Sequence, residues 1–320
     1  AILALQAGKH VYVEKPSGHN PREGELLVEA QKKYRRVVQM GNQQRSSPES
    51  IEIIREIHGG LIGRAYDGRA WYANSRGPIG FGKSVPVPTW LDYELWQGPA
   101  PRTPYRDNVI HYNWHWFWRW GTGESCNNAT HELDVCRWAL GVDFPIRVTS
   151  SGGRFHYSDD WEAYDTQMIG YDFEDGKTIT WEGRSCNPFP VMNRGRGVTI
   201  HGTEGTVLID RNGYTVYDMK NKEIKKRLAS ERNDTLDTTG EGGLTERHIQ
   251  NFLDAVQKNV VLRSPINQGH ISTLYCHLGN IAQRTGSTLH CDSGNGHIKD
   301  NPAAIALWSR SYEPGWEPKM

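Results

Sequence analysis

The sequence predicts an α/β chain: the C-terminal half of a doubly wound parallel sheet, followed by an α+β domain with a large, mostly antiparallel open sheet. Three observations carry that expectation. Residues 1–41 alternate helix, strand, helix, strand, the order from which parallel sheets are built. Residues 147–218 hold six β-rich runs, several separated by turn signals such as Asp175-Gly176 and Asn212-Gly213, as consecutive hairpins require. A length of 320 residues suits about two domains with sizeable cores.

The elements follow in order. Residues 1–7, AILALQA, are strongly helix-forming and closed by Gly8, yet no capping residue precedes them, so the chain reads as starting inside a helix. Residues 10–13 form a short β-rich run that ends in Glu14-Lys15-Pro16. Asn20-Pro21-Arg22-Glu23 then supplies an N-cap, a first-turn proline and an acidic third position, and Leu26, Leu27, Ala30 and Tyr34 recur at helical spacing. Residues 37–40 make a second short strand before Gly41. Residues 50–59 are helical and lead into a β-rich run over 65–72, after which a Gly/Pro-rich loop extends to about residue 89. Six strands are expected within 147–151, 164–173, 177–184, 197–201, 206–210 and 214–218. The hydrophilic stretch 220–243 reads as a surface excursion. Ile249, Phe252, Leu253 and Val256 mark one amphipathic helix and residues 271–285 another, before a helical turn and extended tail over 301–320. The expected domains are 1–45, a partial dinucleotide-binding unit; 46–300, an α/β substrate and oligomerisation unit; and 301–320, a C-terminal segment.

Three places carry chemistry. In open α/β sheets ligands lie beyond the carboxyl ends of the strands, where Glu14 and Lys15 stand. A lysine there, partly shielded from water, can trade protons near neutral pH. The segment HYNWHWFWRW at 111–120 interleaves polar and aromatic side chains. Trp114, His115 and Trp118 are thus candidates for a sugar platform, against the plain alternative that the aromatics fill a core. In GTGESCNNATHELDVCRWALG, 121–141, two glycines give a close-approach turn and a helix starts at Glu124 or Ser125. On it Asn127, His131, Asp134 and Trp138 fall on one stripe. His131, with Asp134 to fix its tautomer, is a candidate general acid/base. Two ligands from such a pair are too few for a metal site.

Composition excludes several classes. Lysine plus arginine equals aspartate plus glutamate at 37 each, with a pI near 7.4, so no global basic field attracts nucleic acid or anionic lipid. No apolar run is long enough to suggest a transmembrane helix. The five cysteines are odd in number and never form C-x-x-C, which favours buried free thiols over a disulfide framework or zinc ribbon.

The ordered set Glu14-Lys15-Pro16, a glycine turn leading to His131 and Asp134, and HGTEGTVLID at 201–210 resembles the Gfo/Idh/MocA oxidoreductases over nearly the whole chain. The resemblance implies a Rossmann-like N-terminal domain that binds NAD or NADP, and a C-terminal α/β domain whose open sheet forms a homo-oligomer. It implies a saccharide substrate, with the family lysine at Lys15 and the family histidine at His131. The segment GNQQRSSP, 41–48, resembles the family's G-x-N-x-R-x-x-P with Gln43 in place of Asn, and Trp118-Arg119 resembles a W-R pair bordering the same cleft. Glu14, Lys15, Pro16, Gln43, Arg45 and Arg119 are therefore expected near the cofactor. Relatives with the W-H-W-F-W run are often exported, so the location implied is cytoplasmic or periplasmic.

Two departures stand out. The residue four before the histidine, commonly Asp, is Asn127, which can orient a hydroxyl but carries no charge. No G-x-G-x-x-G fingerprint precedes the half-sheet, so this chain is expected to bind a dinucleotide weakly. The expected function is NAD(P)-dependent oxidation or reduction of a sugar or glycoside hydroxyl. Two alternatives stay open: glycoside cleavage through transient oxidation, and a non-catalytic carbohydrate-binding or assembly module.

Overall fold

The computed structural model describes residues 1–229 and 243–320. Helix α1 (Ile2–Gln6) leads to strand β1 (Val11–Val13), helix α2 (Pro21–Tyr34) and strand β2 (Val38–Met40). The two strands pair in parallel, Tyr12 opposite Gln39, as the alternation predicts. The Asn20 side chain accepts from Glu23 N at 3.0 Å, while Glu23 Oε2 accepts from His19 N at 2.7 Å. That reciprocal capping box fixes where α2 begins, and so how the chain leaves the Glu14-Lys15-Pro16 turn.

Helix α3 (Pro48–His58) is followed by β3 (Ala65–Ala73), a short α4 (Tyr93–Trp96), and α5 (Thr130–Leu140). Strands β4 (Arg147–Gly153), β5 (Thr166–Asp172), β6 (Thr178–Arg184), β7 (Arg196–Gly202), β8 (Gly205–Asp210), β9 (Gly213–Asp218) and β10 (Glu223–Leu228) come next. Helices α6 (Gly243–Lys258) and α7 (Ile266–Thr285), strands β11 (Leu289–Cys291) and β12 (Ile298–Lys299), and α8 (Pro302–Ile305) complete the order.

Ten strands form one open sheet, in the order β10-β9-β8-β7-β3-β6-β5-β4-β11-β12. It is not a run of consecutive hairpins. Strand β3 inserts between β6 and β7, parallel to the first and antiparallel to the second. Its pattern of buried Gly68, Ala70, Trp71 and Tyr72 suits a central strand. Part of the expected surface excursion is also a strand: β10 pairs with β9 at the sheet edge. The rest of that excursion, 230–242, lies outside the described residues.

One sheet face is covered by α3, α5 and α7, and the core lies there. Val148, Ile169, Tyr171, Ile179, Trp181, Ile200 and Val207 are all almost fully excluded from solvent. The other face carries Tyr66, Arg69, Met168, Thr180 and Glu182 and bounds a concavity of about 1170 Å³. Helix α7 also packs on α2 and β2, so the two strand systems share one helix. Helix α6 docks differently from the expected stripe. Leu244, His248 and Ala255 are buried, whereas Ile249, Leu253 and Val256 are exposed. His248 Nε2 donates to Met40 O at 2.9 Å, which leaves Nδ1 to accept from Ser46 Oγ at 2.7 Å. Those polar bonds decide the docking face. All five cysteines are free and buried, and among the described residues no helix is long and apolar enough to cross a membrane.

Candidate functional site

Lys15 leaves the carboxyl end of β1 through a cis Lys15–Pro16 bond and reaches the helix that follows the glycine turn. Its Nζ donates to the Asn127 carbonyl, and to Asn127 Oδ1 at 3.3 Å. The expected single helix over 125–140 is divided: Ser125–Ala129 form a π turn and α5 starts at Thr130. A π turn holds one more residue than an α turn, and such turns favour functional sites. Here it moves Asn127 off the predicted stripe and turns it to the lysine. The glycine turn is needed for this geometry. A Cβ on Gly121 would lie 2.3 Å from His115 O, and Gly123 has φ of +69°, so the aromatic segment and the turn approach closer than a side chain permits.

The orientation of Asn127 is set from behind. Its Nδ2 donates to Glu124 Oε1 at 3.1 Å and to Tyr112 Oη at 3.2 Å, so Oδ1 must face Lys15. Glu124 itself is buried. It pairs with Arg76 Nε at 2.7 Å and accepts from Ser185 Oγ at 3.1 Å and from Asn128 Nδ2. Arg76 in turn covers the rings of Tyr112 and Trp116 at 5.3 and 4.9 Å. Burial opposes the Arg76 charge, but Glu124 overrides it and raises the guanidinium pKa. Sequence reasoning missed Glu124, Arg76 and Tyr112 as site residues. The one local signal was an acidic residue beside the glycine turn, since Arg76 lies 48 residues away.

His131 is buried, and its pKa is held well below 6.5 by burial first, then by the charges of Lys15, Arg211 and Arg196. The imidazole is neutral and sits in reach of the lysine's field. It borders a crevice of about 10 Å³ with Gln44, Glu132, Arg196 and Arg211. That is room for about one water.

Asp134 does not serve His131 as expected. Its two oxygens bind Arg45 Nε at 2.7 Å and Nη2 at 2.9 Å, and Ser272 Oγ donates to Oδ1 at 2.5 Å. Both partners are nearly fully buried. Arg45 is therefore committed to α5, with its guanidinium 5.2 Å from the Trp138 ring, rather than presented at a ligand edge. Gln43, in contrast, stands with the turn: its Nε2 donates to Glu14 at 3.3–3.4 Å. Gly41 makes that possible, because a Cβ there would lie 2.4 Å from Glu14 Oε2.

The aromatic run is irregular, with a 3₁₀ turn at Asn113–Trp116, so strand-like alternation does not sort its faces. Trp116 and Phe117 are buried, and Trp116 stacks on Trp161 at 3.9 Å. Trp114 stacks on His115 at 3.7 Å, and His115 Nδ1 donates to Tyr112 O at 2.6 Å. Burial lowers the His115 pKa most; the Tyr112 carbonyl opposes it and Lys15 adds to it. His115 thus adjoins the Lys15 cluster, through Tyr112, and Trp114 stacks on it. Trp118 and Arg119 line a different cavity, of about 440 Å³. The concavity on the open sheet face is lined by none of these groups.

Comparison with known proteins places this geometry in context. Residues 65–317 match the model of an oxidoreductase family's C-terminal alpha/beta domain, GFO_IDH_MocA_C2. Among solved structures, the WlbA dehydrogenase of Bordetella pertussis, determined with NADH and UDP-GlcNAcA, is similar at 18% identity and a TM-score of 0.62, over 91% of this chain and 74% of its own. The aldose-aldose oxidoreductase of Caulobacter crescentus, determined with glycerol, is similar at 16% identity and 0.64, over 90% and 74%. An Agrobacterium radiobacter oxidoreductase determined with NAD+, L-tartaric acid and magnesium gives 14% and 0.64, over 90% and 75%. These likenesses show a shared fold. No curated protein matches in sequence.

Proposed function

The chain belongs to the Gfo/Idh/MocA oxidoreductase family, and from that premise we propose that it acts on a sugar or glycoside hydroxyl by hydride transfer with a nicotinamide cofactor. The observation that carries the reading is the meeting of Lys15, Asn127 and neutral His131 at the carboxyl end of β1, the end of a strand where ligands bind in open α/β sheets.

The residues present fit the nicotinamide end of such a cofactor. Glu14, Pro16 and Gln43 form a polar rim there, and Asn42 beside them is 1% exposed with neither amide atom hydrogen-bonded among the described residues. A buried amide without partners costs free energy unless something pairs with it. The glycine turn for a pyrophosphate has no counterpart in these 320 residues. Nicotinamide, when bound, accepts or returns a hydride at its C4.

The chain's own groups divide the rest of the work. Lys15 hydrogen-bonds the reacting hydroxyl and takes or returns its proton through Nζ. Asn127, locked by Glu124 and Tyr112, holds Nζ in place, and its amide supplies no charge. His131, kept neutral, accepts a proton at a ring nitrogen and passes it outward. Trp114 and His115 offer a stacked surface for the apolar face of a sugar. Trp118 and Arg119, in the other cavity, belong to a more distant contact. The uncovered sheet face is the surface we propose for self-association.

The test is single-turnover hydride transfer, with NAD+ or NADP+ in excess, against a panel of monosaccharides and aryl glycosides. Lys15→Met keeps the length and removes the proton carrier, so the rate should fall by about a hundredfold or more. A change of tenfold or less removes Lys15 from the mechanism. Release of aglycone without accumulation of NADH selects cleavage through transient oxidation instead. Saccharide binding with no turnover on any substrate selects the non-catalytic module.

A further inference from the structure

The 440 Å³ cavity beside Trp118 is lined by three arginines, Arg119, Arg284 and Arg310, together with His19, Thr122 and Asn280. It draws residues from the start of α2, the glycine turn, α7 and the C-terminal tail. None of the three guanidiniums forms an ion pair with a carboxylate among the described residues. Arg119 Nη1 donates to Pro101 O at 2.7 Å, and Arg310 donates to the carbonyls of Arg119 at 2.8 Å and Ser311 at 3.4 Å. The Arg284 guanidinium lies over Trp118, 4.9 Å from the ring centroid. The contrast with the rest of the molecule is informative. Arg45, Arg76, Arg137, Arg154, Arg194 and Arg196 all have carboxylate partners, in a chain whose charges balance.

Like charges gathered in excess over their counter-charges repel, and a cavity with low-dielectric walls concentrates their field. One member of the cluster and one neighbour register that field. Arg310 is depressed by burial and then, despite Glu23 and Tyr312, by Arg119. His19 falls to about 3, through burial first and then the charges of Arg310 and His277. Its Nε2 donates to Trp118 O at 3.0 Å, while Nδ1 is buried without a partner among the described residues. Glu162, whose Oε2 accepts from Trp118 N at 2.8 Å, is the one carboxylate among the lining residues, so three guanidiniums share a single anion there.

We infer that this cavity is a binding site for an oxyanion, a carboxylate or a phosphate, carried on a molecule the size of a monosaccharide. Guanidiniums bind such groups through forked, charge-assisted hydrogen bonds. The hydroxyl and amide groups of Thr122, Asn280 and Ser309 suit the hydroxyls of a polyol. The inference does not rest on hydride transfer at Lys15, and it stands or falls separately.

Isothermal titration of the intact chain tests it, with inorganic phosphate, glucuronate, glucose 6-phosphate and glucose as probes. At least one anion should bind, more weakly as salt rises, and glucose should bind at least tenfold more weakly than the better anionic sugar. Tighter binding of glucuronate identifies a carboxylate ligand; tighter binding of glucose 6-phosphate identifies a phosphate. Arg284→Gln and Arg310→Gln should each weaken the anion about tenfold or more, and removing unpaired like charges should leave the melting temperature unchanged or raised. Should either variant fail to fold, a melting-temperature rise of the unaltered chain that saturates with millimolar glucuronate or glucose 6-phosphate, against glucose at equal ionic strength, reads the same site. No anion binding by the unaltered chain, no such rise, equal binding of glucose, or full affinity in both variants overturns the inference.

Discussion

Replacing Asp134 with alanine separates a structural carboxylate from a catalytic one. In the folded chain that side chain is 1% exposed and neutralises Arg45, itself 7% exposed, through two short hydrogen bonds, with a third from Ser272. Removing one partner of a buried pair strands the other charge, at a cost of about 3–5 kcal/mol. The surroundings push the cost toward the upper end, because Arg45 already depresses Arg137, after burial, and Asp134 is the carboxylate that both cations feel. The Trp138 ring under Arg45 offers partial relief, on the order of 1–2 kcal/mol. Urea unfolding should therefore show a lower midpoint at unchanged slope, equivalent to about 3–5 kcal/mol. A double replacement, Asp134→Leu with Arg45→Met, should recover most of the loss, since a well-packed apolar pair can match a buried ion pair. Turnover per folded molecule should change little. Loss of less than about 1 kcal/mol, with turnover collapsing while the fold persists, would refute the structural role and restore Asp134 as the partner of His131.

Two further outcomes follow from the same geometry. Trp116→Ala, which removes a buried indole stacked on Trp161, should cost about 3–5 kcal/mol, whereas Trp118→Ala at the cavity rim should shift the melting temperature by only a few degrees; equal losses at both positions would mean that Trp118 is core. His277 is 4% exposed and its pKa is lowered to about 4, by burial first. Its folded pKa lies below its unfolded value near 6.5, so the unfolded chain binds the extra proton and stability falls as pH drops from about 6.5 to 4, by up to about 1.4 kcal/mol per pH unit. Because burial depresses His19, His131 and His270 in the same way, His277→Gln should remove only one proton's share of the measured slope, and an unchanged slope of the urea midpoints would show that His277 contributes none of it.

Local signals were legible where a few adjacent residues decide the structure. Asn20-Pro21-Arg22-Glu23 announces the capping box and the start of α2, and the glycine turns before His131 and between strands announce close approaches. The alternation in 166–184 marks β5 and β6, because one face of each meets the core. Illegible were features that depend on distant chain. Strand β10, EIKKRL, lies at the sheet edge with both faces largely wet, so no period-2 pattern forms, and its polarity reads as loop. The insertion of β3 between β6 and β7 reflects pairing across more than a hundred residues, which no local rule encodes.

The site shows the same division in a sharper form. Helical spacing put Asn127, His131 and Asp134 on one stripe, but spacing counts residues and cannot see one extra residue accommodated in a π turn. Nor can it assign charge partners. Arg45 is 89 residues from Asp134, and Arg76 is 48 from Glu124. Once those pairs are drawn, the substitution at Asn127 acquires a physical meaning. A carboxylate there would stand directly on Lys15 and also face Glu124, at 3.1 Å from the amide nitrogen that now occupies the position. Two such carboxylates in a buried setting would repel and one would take up a proton. With an amide at 127, the negative charge sits one residue-length back, on Glu124, balanced by Arg76, and Lys15 meets a neutral oxygen whose direction is fixed. Asn127→Asp should therefore be the harmful exchange, despite restoring the commoner residue, and its damage should be relieved when Glu124 is made glutamine.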